Sequence, residues 1–247
     1  MPLNTSKSSK ISLSFLETIK TKFKIYGCYW TFRLTFERIY RILFFQILKK
    51  SYSEYAEDLI VEKLLKNKKN IFYVDIGANH PKKFNNTYHF YLLGHRGINI
   101  DPNQYLINLY RHVRPADTNL SIGISDKNSS MTFYLLDPHV NSTFSRSRYL
   151  YYLADGTSLV SKIKTPVLSF VTFLQQYCSH QDIDFLSIDA EGVEDKILKN
   201  IPWKTCHPAV ICLETFHDNS LSDYLYSKGY RLDSRTGLNS IFYYDQN

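Results

Sequence analysis

Five short runs constrain this chain more than any other feature. They are IFYVDI (71–76), RGINI (96–100), DTNLSIGI (117–124), FLSID (185–189) and AVICLE (209–214). Each is too short for a buried helix, and β-branched and aromatic residues dominate them, so they read as strands. Helical patterns lie between them. In 51–67, Tyr55, Leu59, Ile60 and Leu64 share one side. Further helices are expected over 86–94, from about 102 to Val113, and over 169–178, 194–200 and 221–229. Strand and helix alternating in this way predict an α/β fold with a mostly parallel sheet and crossover helices. MTFYLL (131–136) and SKIKTPV (161–167) read as added strands around a polar insertion at 137–160. YRLD and SIFYY predict a C-terminal antiparallel hairpin.

At 247 residues the chain is long enough for one large domain, and 44% apolar with 21% charged side chains excludes collagen and extended disorder. The net charge of +7 is unevenly spread. Residues 1–50 carry 10 Lys/Arg and 2 Asp/Glu, whereas 51–247 carry 20 and 21. The expected organisation is therefore a basic helical segment, 1–50, before a near-neutral domain, 51–247. The neutral domain calls for no nucleic acid. Within 11–50, Phe32, Phe36, Ile39, Leu43 and Ile47 form one apolar face. Two readings fit: peripheral contact with an anionic membrane, or a helical hairpin packed on the domain.

Cys28, Cys178, Cys206 and Cys212 form no C-x-x-C pair, and no Cys/His spacing suggests zinc. Core thiols in a reducing compartment are expected. With no signal-peptide pattern and no run of 18 apolar residues, the expected location is cytoplasmic, the basic segment optionally resting on the inner face of a membrane.

In a parallel sheet, ligands bind beyond the carboxyl ends of the strands. Each core strand here delivers an acid at that end: Asp75, Asp101, Asp126 after Ser125, Asp189 with Glu191, and Glu214. Unpaired buried carboxylates are costly, so the set predicts a shared, solvent-accessible ligand site. The first turn, Asp75-Ile76-Gly77-Ala78-Asn79-His80-Pro81, is a poor pyrophosphate cradle, because it has one glycine, a bulky histidine and a proline without an N–H. Acids beside such a turn suit a cationic, ribose-bearing ligand such as S-adenosylmethionine (SAM), with Asp101 accepting from ribose hydroxyls. The plainer reading of Asp75 is a turn cap, and that of Glu191 a charge at a helix N-terminus.

From about Tyr55 to Glu214 the chain resembles the FkbM-type SAM-dependent methyltransferases. The likeness runs through Glu57-Asp58-Leu59-Ile60, VDIGANHP, NTYHFY, RGINIDPN, Ser142-Thr143-Phe144-Ser145, FLSIDAEGVEDKIL and VICLET. Many members have a glycine where this chain has Pro81. The resemblance implies a Rossmann-like class I methyltransferase fold, with SAM near Asp75, Gly77, Asn79, Asp101 and Asp126. Asp189 and Glu191 are the catalytic candidates, with His80 and Glu214 as acceptor-side contacts. A divalent metal on Asp189, Glu191 and Glu214 is a further expectation, since it would lower a hydroxyl pKa.

The expected activity is O-methylation of a carbohydrate or glycolipid hydroxyl. Two alternatives stand beside it: a glycosyltransferase using Asp189-Ala190-Glu191 as a metal clamp, and an inactive membrane-surface scaffold.

Overall fold

Phe72–Ile76 (β1) is buried at every position, as a central strand covered on both faces must be. In the computed structural model, which describes Phe36 and residues 50–179, 181–215 and 219–245, β1 is an interior strand of a seven-stranded sheet. The sheet contains β2 (Arg96–Ile100), β3 (Thr118–Leu120), β7 (Phe185–Ile188), β8 (Val210–Glu214), β9 (Tyr230–Thr236) and β10 (Asn239–Tyr244). The order is β3-β2-β1-β7-β8-β10-β9. The first five run parallel, and β10 inserts antiparallel between β8 and β9. This is the expected mostly parallel, Rossmann-like α/β sheet with its terminal hairpin. Residues 51–247 form a compact unit, while the basic segment lies outside the described residues except for Phe36 and Lys50.

Strand alternation divides the core in two. Phe72, Val74, Ile76, Ile98, Ile100, Leu186, Ile188, Ile211 and Leu213 pack with α5 (Phe170–Tyr177), α6 (Glu194–Asn200) and α7 (Asn219–Tyr226). Tyr73, Phe185, Val210, Cys212 and Ile241 point the other way, to Val61 of α1 (Glu57–Leu64) and Phe90 of α2 (Tyr88–Leu92). The register puts Ile76 beside both Ile100 and Ile188, and Ile188 beside Leu213. Gly77, Asp101, Asp189 and Glu214 therefore follow in a row along one sheet edge.

Several elements differ from expectation. The first helix starts at Glu57 rather than Ser51, because Ser51, Ser53 and the Tyr52 N–H are drawn instead onto the Asp58 carboxylate. The second spans only Tyr88–Leu92, since the Asn85 side chain holds the preceding residues in a loop. The run 117–124 is two strands. β3 ends at Leu120, and β4 (Gly123–Ser125) belongs to a separate sheet, ordered β4-β6-β5. β5 (Ser129–Asp137) and β6 (Ser158–Ser169) are longer than their apolar centres suggested. The insertion between them contains α4 (Arg146–Ala154), capped by Ser145, whose hydroxyl accepts from the Arg148 N–H.

One polar knot ties the second sheet face together. Arg114, just beyond α3 (Gln104–Val113), is fully buried and pairs through Nε with Asp117 Oδ2 at 2.8 Å. Its guanidinium also donates to Asn85 Oδ1 and Thr87 Oγ1, both at 3.1 Å, and lies 5.2–5.3 Å from the ring centroids of Tyr73, Tyr91 and Tyr110. Asp117 accepts further from the Tyr73 hydroxyl, the Gly97 N–H and Asn99 Nδ2. The knot thus fastens β1, β2 and the loop before α2. Breaking a buried pair by removing one partner typically costs about 3–5 kcal/mol. Arg114→Met should destabilise the domain on that scale, read as a lower denaturant midpoint in chemical unfolding. An unchanged midpoint would show that Asp117 finds compensation elsewhere.

Candidate functional site

A cavity of about 610 Å³, its mouth included, opens at this sheet edge. Its wall includes Gly77, Asn79, Asp101, Pro102, Asn103, Gly123, Asp189, Ala190 and Glu191, with Ile100, Leu106, Ile122, Ile124, Phe133 and Phe144 supplying apolar surface. Brought together this way are the ends of β1, β2 and β7, the point where the strand order turns outward in both directions.

The first turn is built for close backbone approach. Gly77 has φ +79°, and a Cβ there would stand 1.7 Å from the Asp189 carbonyl oxygen, so no side chain fits. Asn79 also takes a left-handed φ, +49°. Its N–H donates to Asp101 Oδ2 at 3.0 Å, and the Asn103 N–H donates to Asp101 Oδ1 at 2.7 Å. Burial pushes the Asp101 carboxyl up to about 6 against those two bonds. Asn79 Oδ1 is buried and has no hydrogen-bond partner within the described protein, so it is an acceptor waiting for a donor. An acid with spare lone pairs, an orphaned amide oxygen and an apolar slot fit a ribose, an amino group and a purine. These residues suit SAM.

Acids dominate the other side. Asp189 ends β7 and is exposed towards the cavity. The crowding of protein around that concavity, then Glu191 and Glu194, push its carboxyl well above the usual range. Glu214 is also driven upward, by burial first and then by Asp189, and it hydrogen-bonds Asp189. Glu191 has φ +53°. Glu191 Oε2 accepts from Arg148 Nη1 at 2.5 Å and from the Tyr152 hydroxyl at 2.9 Å, both on α4. Arg148 Nη1 also reaches Glu214 at 3.5 Å. The Thr143 hydroxyl donates to the Glu191 carbonyl at 2.6 Å.

Oxygens of Asp189, Glu194 and Glu214 lie within 4.8 Å of one another. Arg148 reaches Glu214, and the Ala190 and Gly192 N–H groups bond Glu194. Glu191, whose carboxylate is bonded to α4, is not one of the three.

The cavity wall gathers Gly77, Asn79, Asp101, Asp189 and Glu191 from the expected set. Asp75 is not on it. Asp75 pairs in register with Asn99 and Ser187, one full pleat deeper than Asp101 and Asp189, and there its buried carboxylate accepts from Thr87 Oγ1 and Asn85 Nδ2. Ser125 and Asp126 also stand off the wall, because the strand breaks at 121–122 and leaves Ile122 and Gly123 there instead. Asp126 is exposed and accepts from the Ser125 hydroxyl. His80 Nδ1 accepts from the Lys82 and Lys83 N–H groups and caps its own turn. Glu214 sits behind Asp189. Sequence reasoning assigned no individual role to Glu194 or Thr143, and it offered Arg148 and Tyr152 only as part of a polar, aromatic insertion at 137–160 that could close over an acceptor or be a plain surface excursion. Glu194 left a signal as an acid opening a helix.

No match was found among curated proteins. Among solved structures, a TehB-like SAM-dependent methyltransferase from Corynebacterium glutamicum aligns at 10% identity and TM-score 0.40, covering 85% of this chain and 99% of that one. A precorrin-6y C5,15-methyltransferase from Geobacter metallireducens aligns at 12% and TM-score 0.33, covering 75% and 84%. The methyltransferase FkbM domain model matches residues 75–232, well over half of the chain. This protein belongs to the FkbM family and is a SAM-dependent methyltransferase.

Proposed function

We propose that the reaction is O-methylation, with a hydroxyl of a carbohydrate or glycolipid as the acceptor. The observation that carries this reading is Asp189, a carboxylate exposed to the cavity beside the cofactor turn, whose basicity is raised by its surroundings. SAM, when bound, supplies an electrophilic methyl group. Asp101 and Asn79 hold polar groups of the cofactor, and the apolar wall takes its base. Asp189 accepts the acceptor's hydroxyl proton as the new bond forms. An ordinary carboxylate, with pKa near 4, is a weak base for that work, and a raised one is better matched. Glu191 acts through α4: by binding Arg148 and Tyr152 it keeps that helix at the acid side of the cavity. The same helix carries Tyr149, stacked on Tyr134 at 4.2 Å, and the exposed Tyr151. Aromatic faces with polar tips are suited to the mixed surface of a sugar. Peripheral membrane contact through residues 11–50 belongs to the same reading and rests on their charge.

Three outcomes test these assignments. Asp101→Ala should weaken SAM binding by roughly 1.5–3 kcal/mol in calorimetry, the range for bonds to a charged group. In the wild type, protonation removes an acceptor, so SAM affinity should fall as pH drops through about 6 and hold steady above it. A flat pH profile with an unaffected mutant would take Asp101 out of the site.

For the base, Asp189→Asn should leave SAM affinity intact and lower kcat by about 10²–10⁴-fold. Because Asp189 must be ionised to act, wild-type kcat should rise with pH along a limb lying above the ordinary carboxylate range. Near-native turnover in the mutant would reassign the base.

The membrane part is separable. Full-length protein should sediment with anionic vesicles at low salt, each basic residue near the surface being worth about 1 kcal/mol. A chain beginning at Ser51 should stay in solution, and equal sedimentation of the two would exclude the basic segment as the anchor.

A further inference from the structure

Glu194 is the most fully engaged acid near the cavity, yet it does not line the cavity wall. It opens α6 and is 5% exposed. Its Oε1 accepts from the Ala190 and Gly192 N–H groups, each at 3.0 Å, and its Oε2 also accepts from Gly192 N–H at 2.9 Å. Those amides belong to the loop that leaves β7 immediately after Asp189. The loop is not a relaxed one. Glu191 takes φ +53° and Gly192 φ +105°, and a left-handed non-glycine residue persists only where its surroundings hold it. Thr143 holds the same loop from the other side, through the Glu191 carbonyl.

We infer that Glu194 is a positioning residue for methyl transfer, clamping the Asp189–Gly192 loop so that the Asp189 carboxylate faces the cavity. The inference rests on the proposed role of Asp189, but the clamp itself is a matter of loop geometry. The Glu194 carboxylate satisfies two loop amides, which fixes the backbone on which Asp189 sits. Glu191, by contrast, spends its carboxylate on α4.

The test uses the full chain without cofactor or acceptor, in wild type, Glu194→Gln and Glu194→Ala. Amide hydrogen exchange is followed at Ala190 and Gly192, and the rate at which a water-soluble carbodiimide modifies the Asp189 carboxyl is read by peptide mass spectrometry, with exposed Asp126 as the internal reference. Glu194→Gln keeps the shape and one oxygen acceptor, so the fold should survive even where Glu194→Ala does not. Hydrogen bonds to a charged acceptor are worth enough that their loss should speed exchange at Gly192 roughly tenfold or more. Release of the loop should also change the modification rate of Asp189 while that of Asp126 stays put, a change that bracing the loop backbone alone would not produce. Unchanged exchange together with an unchanged Asp189 rate in folded Glu194→Gln would overturn the inference. Faster exchange with an unchanged Asp189 rate would also overturn it, reducing Glu194 to a loop brace. Failure of the methyl-transfer reading would show separately, as absent turnover in the wild type, and would leave these two readouts as they are.

Discussion

The buried Arg114–Asp117 pair is the interaction on which the cofactor turn depends. Arg114 has no access to water, and its charge is met by Asp117 together with Asn85, Thr87 and three aromatic rings. Taking two charges out of water is favourable only when the remaining donors and acceptors are satisfied. Here that requirement recruits the loop before α2. Asn85 donates to Asp75, to the Ala78 carbonyl and to Tyr110, while the Tyr110 hydroxyl itself donates to Ala78 O at 2.6 Å. Ala78 is the residue between Gly77 and Asn79. The ion pair on one face of the sheet therefore fixes the backbone that lines the cavity at its edge.

The acids of the family-like segments divide between two uses that spacing alone does not separate. Glu57 and Asp58 are adjacent and fully buried. Asp58 gathers Ser51, Ser53 and the Tyr52 N–H. Glu57 accepts from Thr236 and Asn239, joining α1 to the C-terminal hairpin. Both are architectural. Asp101 and Asp189 are the acids that the strand ends hand to the cavity, and Asp75 belongs with the first group although it lies in the strand beside them. Whether a carboxylate near a strand end serves the fold or the ligand is decided by its depth: Asp75, level with Asn99 and Ser187, is one pleat short of Asp101 and Asp189.

That distinction explains what was legible in the sequence. Strand identity was, because VDI, INI, LSI and ICLE are apolar enough to be nothing else, and the row Gly77, Asp101, Asp189 followed from placing them in parallel. Asp75 was misplaced because a strand end was treated as a point, whereas Asp75 lies two residues short of the level at which Asp101 and Asp189 leave the sheet, inside the packed part of the strand. Ser125 and Asp126 were misplaced because 117–124 carries no glycine or proline at 121–122 to announce the break. Arg114 gave no sign at all. In VRPAD it resembles any surface arginine before a turn, and only tertiary contact with Asn85 and Thr87 reveals it. Arg148 and Tyr152 were visible as part of a polar, aromatic insertion, but their joint hold on Glu191 requires α4 to form first.

The electrostatics of the cavity follow from this arrangement. Asp189, Glu191, Glu194 and Glu214 crowd one end against a single guanidinium, that of Arg148, among the groups that shift them. Such a cluster is tolerable only if some of its charge is removed, and protons are the nearest means of removing it. The residues divide the cavity accordingly: Asn79 and Asp101 follow β1 and β2, where two backbone N–H groups hold the Asp101 carboxylate, and the crowded acids lie at the ends of β7 and β8. On the proposed reading the group that takes the proton is thus separate from the groups that hold the cofactor, so the charge of one can change without disturbing the other.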